Sequence, residues 1–208
     1  MIRVLVVDDH GVVRAGFRRI INDQPDMCVV GEAESGETSV LMFKEHRPDI
    51  VVMDLSMPGI GGLDAIRQIL VREADTRILV LTAYTDIVWS RKVLDSGARG
   101  LLSKNCSPST FLDALHAIAG GKPYIEQQIA QDLALDKSGS DSLKDLSERE
   151  FQIFRMLAEG HSSKQISSLL HLSPKTISTY KSHIQDKLGV ENIAGLTRLA
   201  IQKGVVEL

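Results

Sequence analysis

Five short apolar runs, separated by amphipathic stretches, constrain the front of this chain more than any other feature. The runs are Ile2–Val7, Cys28–Val30, Ile50–Met53, Ile78–Leu81 and Gly100–Leu102. None shows clean apolar–polar alternation, so each reads as a strand buried on both faces. Between the first two, "RAGFRRIIND" places Phe17, Ile20 and Ile21 on one helical face, with Arg14, Arg18 and Arg19 largely off it. Further helices are expected over Gly36–Glu45, Leu63–Arg72, Ile87–Ser96 and Ser109–Ala119. Gln24-Pro25-Asp26, Arg47-Pro48-Asp49, Pro58-Gly59 and Ser96-Gly97 punctuate the units. Five βα units imply an α/β fold with a parallel sheet covered on both faces. Sites in such sheets form outside the carboxyl ends of the strands.

Those ends carry a specific set of groups. The first strand delivers Asp8 and Asp9, the third Asp54, the fourth Thr82 and the fifth Lys104. Taken singly, each has an ordinary explanation. An Asp after a strand is commonly a helix N-cap, Thr82 a strand-end hydroxyl, and Lys104 a solvated charge. Taken together they converge on one rim. Three crowded carboxylates repel unless a cation joins them, and hard oxygen ligands with room for water suit Mg²⁺. A carboxylate beside Mg²⁺, a hydroxyl and an ammonium is a nucleophile for phosphorus.

The rest of the chain is organised differently. At 208 residues it is long enough for two domains. Residues 124–145 carry two basic against five acidic side chains, and residues 146–208 carry eight against six. An acidic front and joint followed by a mildly basic tail suggest separate partners. Gly120-Gly121-Lys122-Pro123 ends the front half. "IEQQIAQDLAL" then has Ile125, Ile129 and Leu133 at helical spacing, and "DKSGSDSLKD" reads as a flexible tether. The expected boundaries are residues 1–122, a joint over 123–145, and residues 146–208. Neither a membrane-length apolar run nor a signal peptide is evident, which points to the cytoplasm and to Cys28 and Cys106 as free thiols.

The back half is helical throughout, and four helices are expected. Ser147 and Glu150 form a capping box. Phe151, Phe154, Met156, Leu157 and Ala158 supply the buried side of the helix that follows. Ile166, Leu169 and Leu170 are the apolar positions of a second, shorter helix. Ser173 caps a third, with Pro174 at its first position and Gly189 at its end. Helix, tight turn, helix is the scaffold whose second helix enters the DNA major groove. On that third helix Ile177, Ile184 and Leu188 face the core. Lys175, Thr176, Ser178, Thr179, Lys181 and Ser182 lie elsewhere. A solvated polar face is the bland reading, and short hydroxyls that approach bases are the functional one.

"VLVVDDH", "VVMDLSMPGIGGLDAI", "VLTAY" and "LLSK" resemble the receiver domain of bacterial response regulators over roughly the first 120 residues. The resemblance implies a flavodoxin-like fold, a five-stranded doubly wound parallel sheet. It implies Asp54 as phosphoacceptor from a sensor histidine kinase. It implies Mg²⁺ or Mn²⁺ held by Asp8, Asp9, Asp54 and the backbone of Ser56, with Thr82 and Lys104 as the phosphoryl switch. "LSEREFQIFRMLAEG", "SSKQISSLLHLSPKTISTYKSHIQDKLGV" and "AGLTRLAIQKG" resemble the LuxR-type DNA-binding domain, and the whole chain resembles the NarL/FixJ response regulators. "YIEQQIAQDLAL" is similar to the GacA/UvrY subgroup. This implies Ser178, Thr179 and Ser182 facing bases, with Lys164, Lys175, Thr176 and Lys181 on the backbone of promoter DNA. It also implies a homodimer when phosphorylated, and RNA polymerase as a candidate partner. Two positions depart from the receiver pattern: Leu101 stands where an aromatic is common, and Asn105 where Pro is common.

Two rivals have sequence-level answers. A phosphohydrolase using an aspartyl-phosphate needs a second Asp two positions after its nucleophile; position 56 is Ser, and His10 follows Asp8 at that spacing. A phosphate-independent DNA binder with a degenerate receiver does not fit the complete acidic set. A regulator rather than a turnover enzyme is therefore expected.

Overall fold

The computed structural model describes residues 1–57, 59–83, 87–135, 143, 145–170 and 172–206. Pro58, Tyr84 and most of the expected tether lie outside the described residues. Two compact units divide near residues 134 and 135.

The first unit alternates strands and helices: β1 Ile2–Val7, α1 Gly11–Asn22, β2 Met27–Ala33, α2 Gly36–His46, β3 Ile50–Asp54, α3 Gly61–Arg72, β4 Arg77–Thr82, α4 Ile87–Asp95, β5 Gly100–Ser103, α5 Pro108–Ala119, β6 Tyr124–Ile125 and α6 Gln127–Leu135. The strand order is β2-β1-β3-β4-β5-β6, and every pairing is parallel. The doubly wound sheet is thus as expected, with one addition. The two residues of β6 extend it to six strands, in a segment expected to be joint. Two residues carry no periodicity, so only the pairing with β5 reveals them.

Alternate residues along the strands face opposite layers. Val4, Val6, Ile50, Val52, Leu79, Leu81 and Leu102 pack against Ile21 of α1 and Phe111, Ala114, Leu115 and Ile118 of α5. Phe17 completes this layer, its ring 4.8 Å from that of Phe111. Ser35 and Ser107 start α2 and α5 by accepting the backbone N–H three residues on.

The second unit contains α7 Glu148–Ala158, α8 Ser163–Leu169, α9 Pro174–Leu188 and α10 Ile193–Gln202, the four expected helices. Its core joins Phe151, Ile153, Phe154 and Leu157 of α7 to Ile166, Ile177, Ile184, Leu196 and Ala200. Ile153 is buried where Met156 was expected to be, because Met156 sits at the margin of the face and is only half-buried. Leu169 is exposed rather than packed. The Ser147–Glu150 capping box is present, and Gly189 ends α9 in the left-handed conformation at φ 64°. No helix among the described residues is long and apolar enough to cross a membrane.

Candidate carboxylate pocket and candidate nucleic-acid interface

The chain leaves β1 for β2 on one side and returns to β3 on the other, so the crevice of this sheet lies between β1 and β3. Val7 pairs with Met53, and Asp8 and Asp54 therefore emerge side by side. Both are buried. Lys104, one residue beyond β5, reaches back across β4. Its Nζ donates to Asp8 Oδ2 at 2.8 Å and stands 2.8 Å from Asp54 Oδ2.

Neither acidic residue of the doublet caps α1. The cap position is His10, and it makes no side-chain cap bond. Instead Asp8 Oδ1 accepts the His10 N–H at 2.8 Å, and His10 Nδ1 lies 2.7 Å from Asp9 Oδ1. Arg14 braces the turn. Its Nη1 donates to the carbonyl of Asp8 at 2.6 Å, and its Nε is 3.4 Å from Glu32 Oε2 on β2. Helical periodicity set Arg14 outside the core face, but the side chain folds back to the rim, which no sequence signal announces.

Ser56 meets the pocket through its N–H, which donates to Asp54 Oδ1 at 3.2 Å. Thr82 is fully buried at the end of β4, and its carbonyl accepts the Lys104 N–H at 2.8 Å. Leu101 is fully buried within β5. No peptide bond among the described residues is cis. The loop after β3 is held by Glu37 of α2, whose Oε1 accepts the Ile60 N–H at 3.1 Å. Gly62 lets α3 start against the strand: a Cβ there would lie 2.3 Å from the carbonyl oxygen of Asp54.

Burial pushes the Asp54 carboxyl above its usual range; the Lys104 ammonium opposes that rise and the Asp8 carboxylate adds to it. Burial pushes the Lys104 ammonium down, but Asp54 and Asp8 outweigh it and hold it above its ordinary value. One ammonium thus serves several carboxylates. Asp54 Oδ2 and Asp9 Oδ1 are buried without a hydrogen bond, ion-pair distances notwithstanding. Asp8, Asp9, His10 and Asp54 each offer one ligand atom, and these atoms all lie within 4.8 Å of one another. The donor set and its uncompensated negative charge fit a divalent cation.

In the second unit, α8, a short turn and α9 form the helix-turn-helix. Ser167 of α8 ties the turn: its hydroxyl donates to the carbonyl of Leu172, and its own carbonyl accepts the Leu172 N–H. On α9, Ile177 and Ile184 are fully buried. Lys175, Ser178, Thr179 and Ser182 are exposed and share the opposite face. The Thr179 and Ser182 hydroxyls donate to the carbonyls of Lys175 and Ser178, which leaves their lone pairs outward. Thr176 is bound to the Ser173 cap, and Lys181 is half-buried on the flank, so both stand apart from that face. Lys164 is exposed near the start of α8. A groove beside α9 is lined by Ser173, Lys175, Thr176, Thr179, Tyr180 and His183.

Known protein families match both units of the chain. Residues 4–116 match the response regulator receiver domain, and residues 144–200 match the bacterial regulatory proteins of the luxR family. The chain is 43% identical to the response regulator UvrY of Escherichia coli K12 over 209 residues, covering 99% of this chain and 96% of that protein. It is 39% identical to the response regulator GacA of Pseudomonas aeruginosa over 211 residues, covering 100% and 99%. Among solved structures, the RcsB response regulator of Salmonella typhimurium matches at TM-score 0.62 and 30% identity, over 97% of this chain and 100% of that one. A complex of RcsB with DNA matches at TM-score 0.60 and 30% identity, over 95% and 96%.

Proposed function

This chain belongs to the DNA-binding response regulators of two-component systems, and on that premise we propose that Asp54 is its phosphoacceptor and the exposed face of α9 its reader of promoter DNA. The observation that carries the proposal is the Lys104 ammonium set between two buried carboxylates at the sheet's crevice.

An Asp54 oxygen attacks the phosphorus of a phosphohistidine on a sensor histidine kinase. The O–P bond forms, the N–P bond breaks, and the kinase histidine leaves with its electron pair and takes up a proton. Asp8 and Asp9, with Asp54 and the Ser56 backbone, would hold Mg²⁺ or Mn²⁺. Bound there, the cation neutralises charge on the phosphoryl oxygens. Lys104 moves its ion pair from the Asp54 carboxylate to the new phosphoryl group, and the Thr82 hydroxyl donates to the same group. The phosphoryl group carries close to two negative charges at neutral pH where the carboxylate carried one, and that difference is what the switch senses. With Leu101 buried in the strand, the readout runs through Thr82, Lys104 and their backbone rather than through a rotating aromatic.

Residues 1–122 act as receiver, 123–145 as joint and 146–208 as DNA-binding domain. Phosphorylation promotes a homodimer that sets two α9 helices on half-sites about one helical turn, ~34 Å, apart. Ser178, Thr179 and Ser182 face base edges, and Lys164, Lys175, Thr176 and Lys181 serve the phosphates. The protein works in the cytoplasm, with RNA polymerase as a downstream partner, and does not turn over substrate. The test is Asp54→Asn. It abolishes the Mg²⁺-dependent phospho-species formed with acetyl phosphate and the gain in promoter affinity that follows. A variant that kept both would overturn the assignment.

A further inference from the structure

We propose that Glu126 is a positioning residue for Lys104, which makes the segment after the receiver a working part of the phosphoacceptor pocket. The β5–β6 ladder is only two residues long, with Gly100 opposite Tyr124 and Leu101 opposite Ile125. Backbone bonds run from Tyr124 N–H to the Arg99 carbonyl at 3.0 Å and from Glu126 N–H to the Leu101 carbonyl at 3.0 Å. A third rung would need a backbone acceptor for the N–H of Ser103. The chain turns into α6 instead, and the Glu126 side chain supplies the acceptor: Oε2 receives the Ser103 N–H at 2.7 Å. A bond to a carboxylate is stronger than the neutral rung it replaces.

Ser103 is the last residue of β5, and Lys104 follows it directly. Successive N–H groups of a strand point to opposite sides. Lys104 N–H is held by the Thr82 carbonyl of β4, and Ser103 N–H by Glu126. The strand end is therefore clamped from both sides immediately before the side chain that bridges Asp8 and Asp54. One clamp belongs to the pocket's own sheet. The other belongs to the segment leading out of the unit. A displacement of Lys104 toward a phosphoryl group pulls on the Ser103 peptide, and so on Glu126. The clamp works in both directions, so a change at Glu126 alters the pocket in turn.

The positioning itself is independent of phosphorylation; its use as a relay rests on Asp54 being the phosphoacceptor. The test separates the two. In the full-length, unphosphorylated protein, acylation of each lysine by acetic anhydride is read by mass spectrometry, and hydrogen exchange at the Ser103 amide by NMR. Glu126→Ala raises Lys104 acylation and Ser103 exchange by about tenfold, the worth of one charge-assisted bond. Acylation of Lys44 and Lys122 does not change. Glu126→Gln, whose amide oxygen can accept the same N–H, restores most of the protection. Lys104 acylation within twofold of the parent in Glu126→Ala, with the protein folded, overturns the proposal. So does a failure of Glu126→Gln to restore protection. Acetyl phosphate with Mg²⁺ then reads the relay: phosphorylation of the parent changes exchange across residues 124–134, and Glu126→Ala loses that change. A parent that forms no phospho-Asp54 removes the phosphoacceptor assignment and the relay while the resting-state readout still decides the positioning role.

Discussion

Lys104 and Asp54 meet across a strand that belongs to neither. Their charged groups stand 2.8 Å apart although β4 lies between β3 and β5. The same ammonium holds Asp8, also at 2.8 Å. Removing it leaves two buried carboxylates with no cation between them. Such a loss commonly costs about 3 kcal/mol or more. Lys104→Met should therefore lower the urea midpoint. Because a divalent cation binds the folded pocket and neutralises the same charges, millimolar Mg²⁺ should recover part of that loss and raise the variant's midpoint more than the parent's. Equal Mg²⁺ responses would show that the ammonium is not what balances the pocket.

Asp9 tests whether the doublet serves the pocket or the helix. The α1 cap position is His10, without a side-chain bond, so removing the Asp9 carboxylate takes no cap from the helix. Asp9→Ala should hold its stability to within about 0.5 kcal/mol of the parent. Its Mg²⁺ requirement for acetyl-phosphate labelling should rise more than tenfold. Cooperative unfolding at a clearly lower temperature, with Mg²⁺ affinity unchanged, would return Asp9 to a structural role.

Two helical glycines should respond oppositely to the same change. At Gly16, exposed on α1, nothing lies within 4 Å of an added Cβ, and Ala there should stabilise by about 0.5–1 kcal/mol. At Gly62 the Cβ would lie 2.3 Å from the Asp54 carbonyl and 2.7 Å from the Leu55 Cα, and neither backbone atom can swing aside. Gly62→Ala should cost about 1–3 kcal/mol and slow labelling of Asp54, because relief comes only by moving α3 or the end of β3. Chemical denaturation of the two variants side by side gives the signs directly.

What sequence revealed and what it hid follow one division. The meeting of Asp8, Asp54 and Lys104 was legible because each follows an apolar run and parallel strands bring such ends to one rim. The face of α9 was legible because buried Ile177 and Ile184 recur at helical spacing and fix what lies opposite. The braces were not legible. Arg14 looked like solvent face, since periodicity reports which residues prefer water and not where a long side chain returns. Glu126 and Lys187 act on groups 23 and 37 positions away, a distance at which one sequence carries no pairing signal. The sixth strand was hidden for the same reason. Its existence depends on an edge it pairs with, not on its own two residues.

Lys187 shows how such a hidden tie should register in solution. Its Nζ donates to Glu150 Oε2 at 2.6 Å and to the Asp145 carbonyl at 3.1 Å, joining the end of α9 to the start of α7. Burial alone would push the Glu150 carboxyl up. The Lys187 ammonium and the Ser147 N–H and hydroxyl outweigh it and hold the carboxyl below its ordinary value. A depressed carboxylate contributes stability that is present above the unfolded value and lost as pH falls through the folded one. The DNA-binding unit should therefore lose stability on acidification below the usual glutamate range. Lys187→Met should cost about 1–2 kcal/mol near neutrality, since Lys187 is partly exposed and screened, and should flatten the acid-side slope. Urea midpoints from pH 3 to pH 7 for parent and variant test this. Parallel slopes would separate Glu150 from acid sensitivity.

The exposed face of α9 divides into residues that should change affinity and residues that should change preference. Lys175 lies exposed at the start of the helix, on the face opposite Ile177 and Ile184. Its removal should weaken binding to every duplex alike and reduce the slope of log K against log salt by about 0.9, the worth of one phosphate contact. Lys181 is half-buried on the flank, so its removal should lower that slope less. Thr179 and Ser182 already spend their hydroxyl protons on the helix backbone at 3.1 and 3.3 Å. Each therefore offers a base edge an acceptor as it stands, and a donor only after breaking that bond. Ala at either position should leave the salt slope unchanged and relax discrimination at individual base pairs, by up to about 1–3 kcal/mol for a bidentate-quality contact and less for a single hydroxyl. Binding to a randomised half-site library at two salt concentrations reads both quantities at once. A Ser182→Ala protein that lost affinity uniformly while keeping the parent's sequence preference would place Ser182 on the phosphates and move base reading elsewhere on the helix.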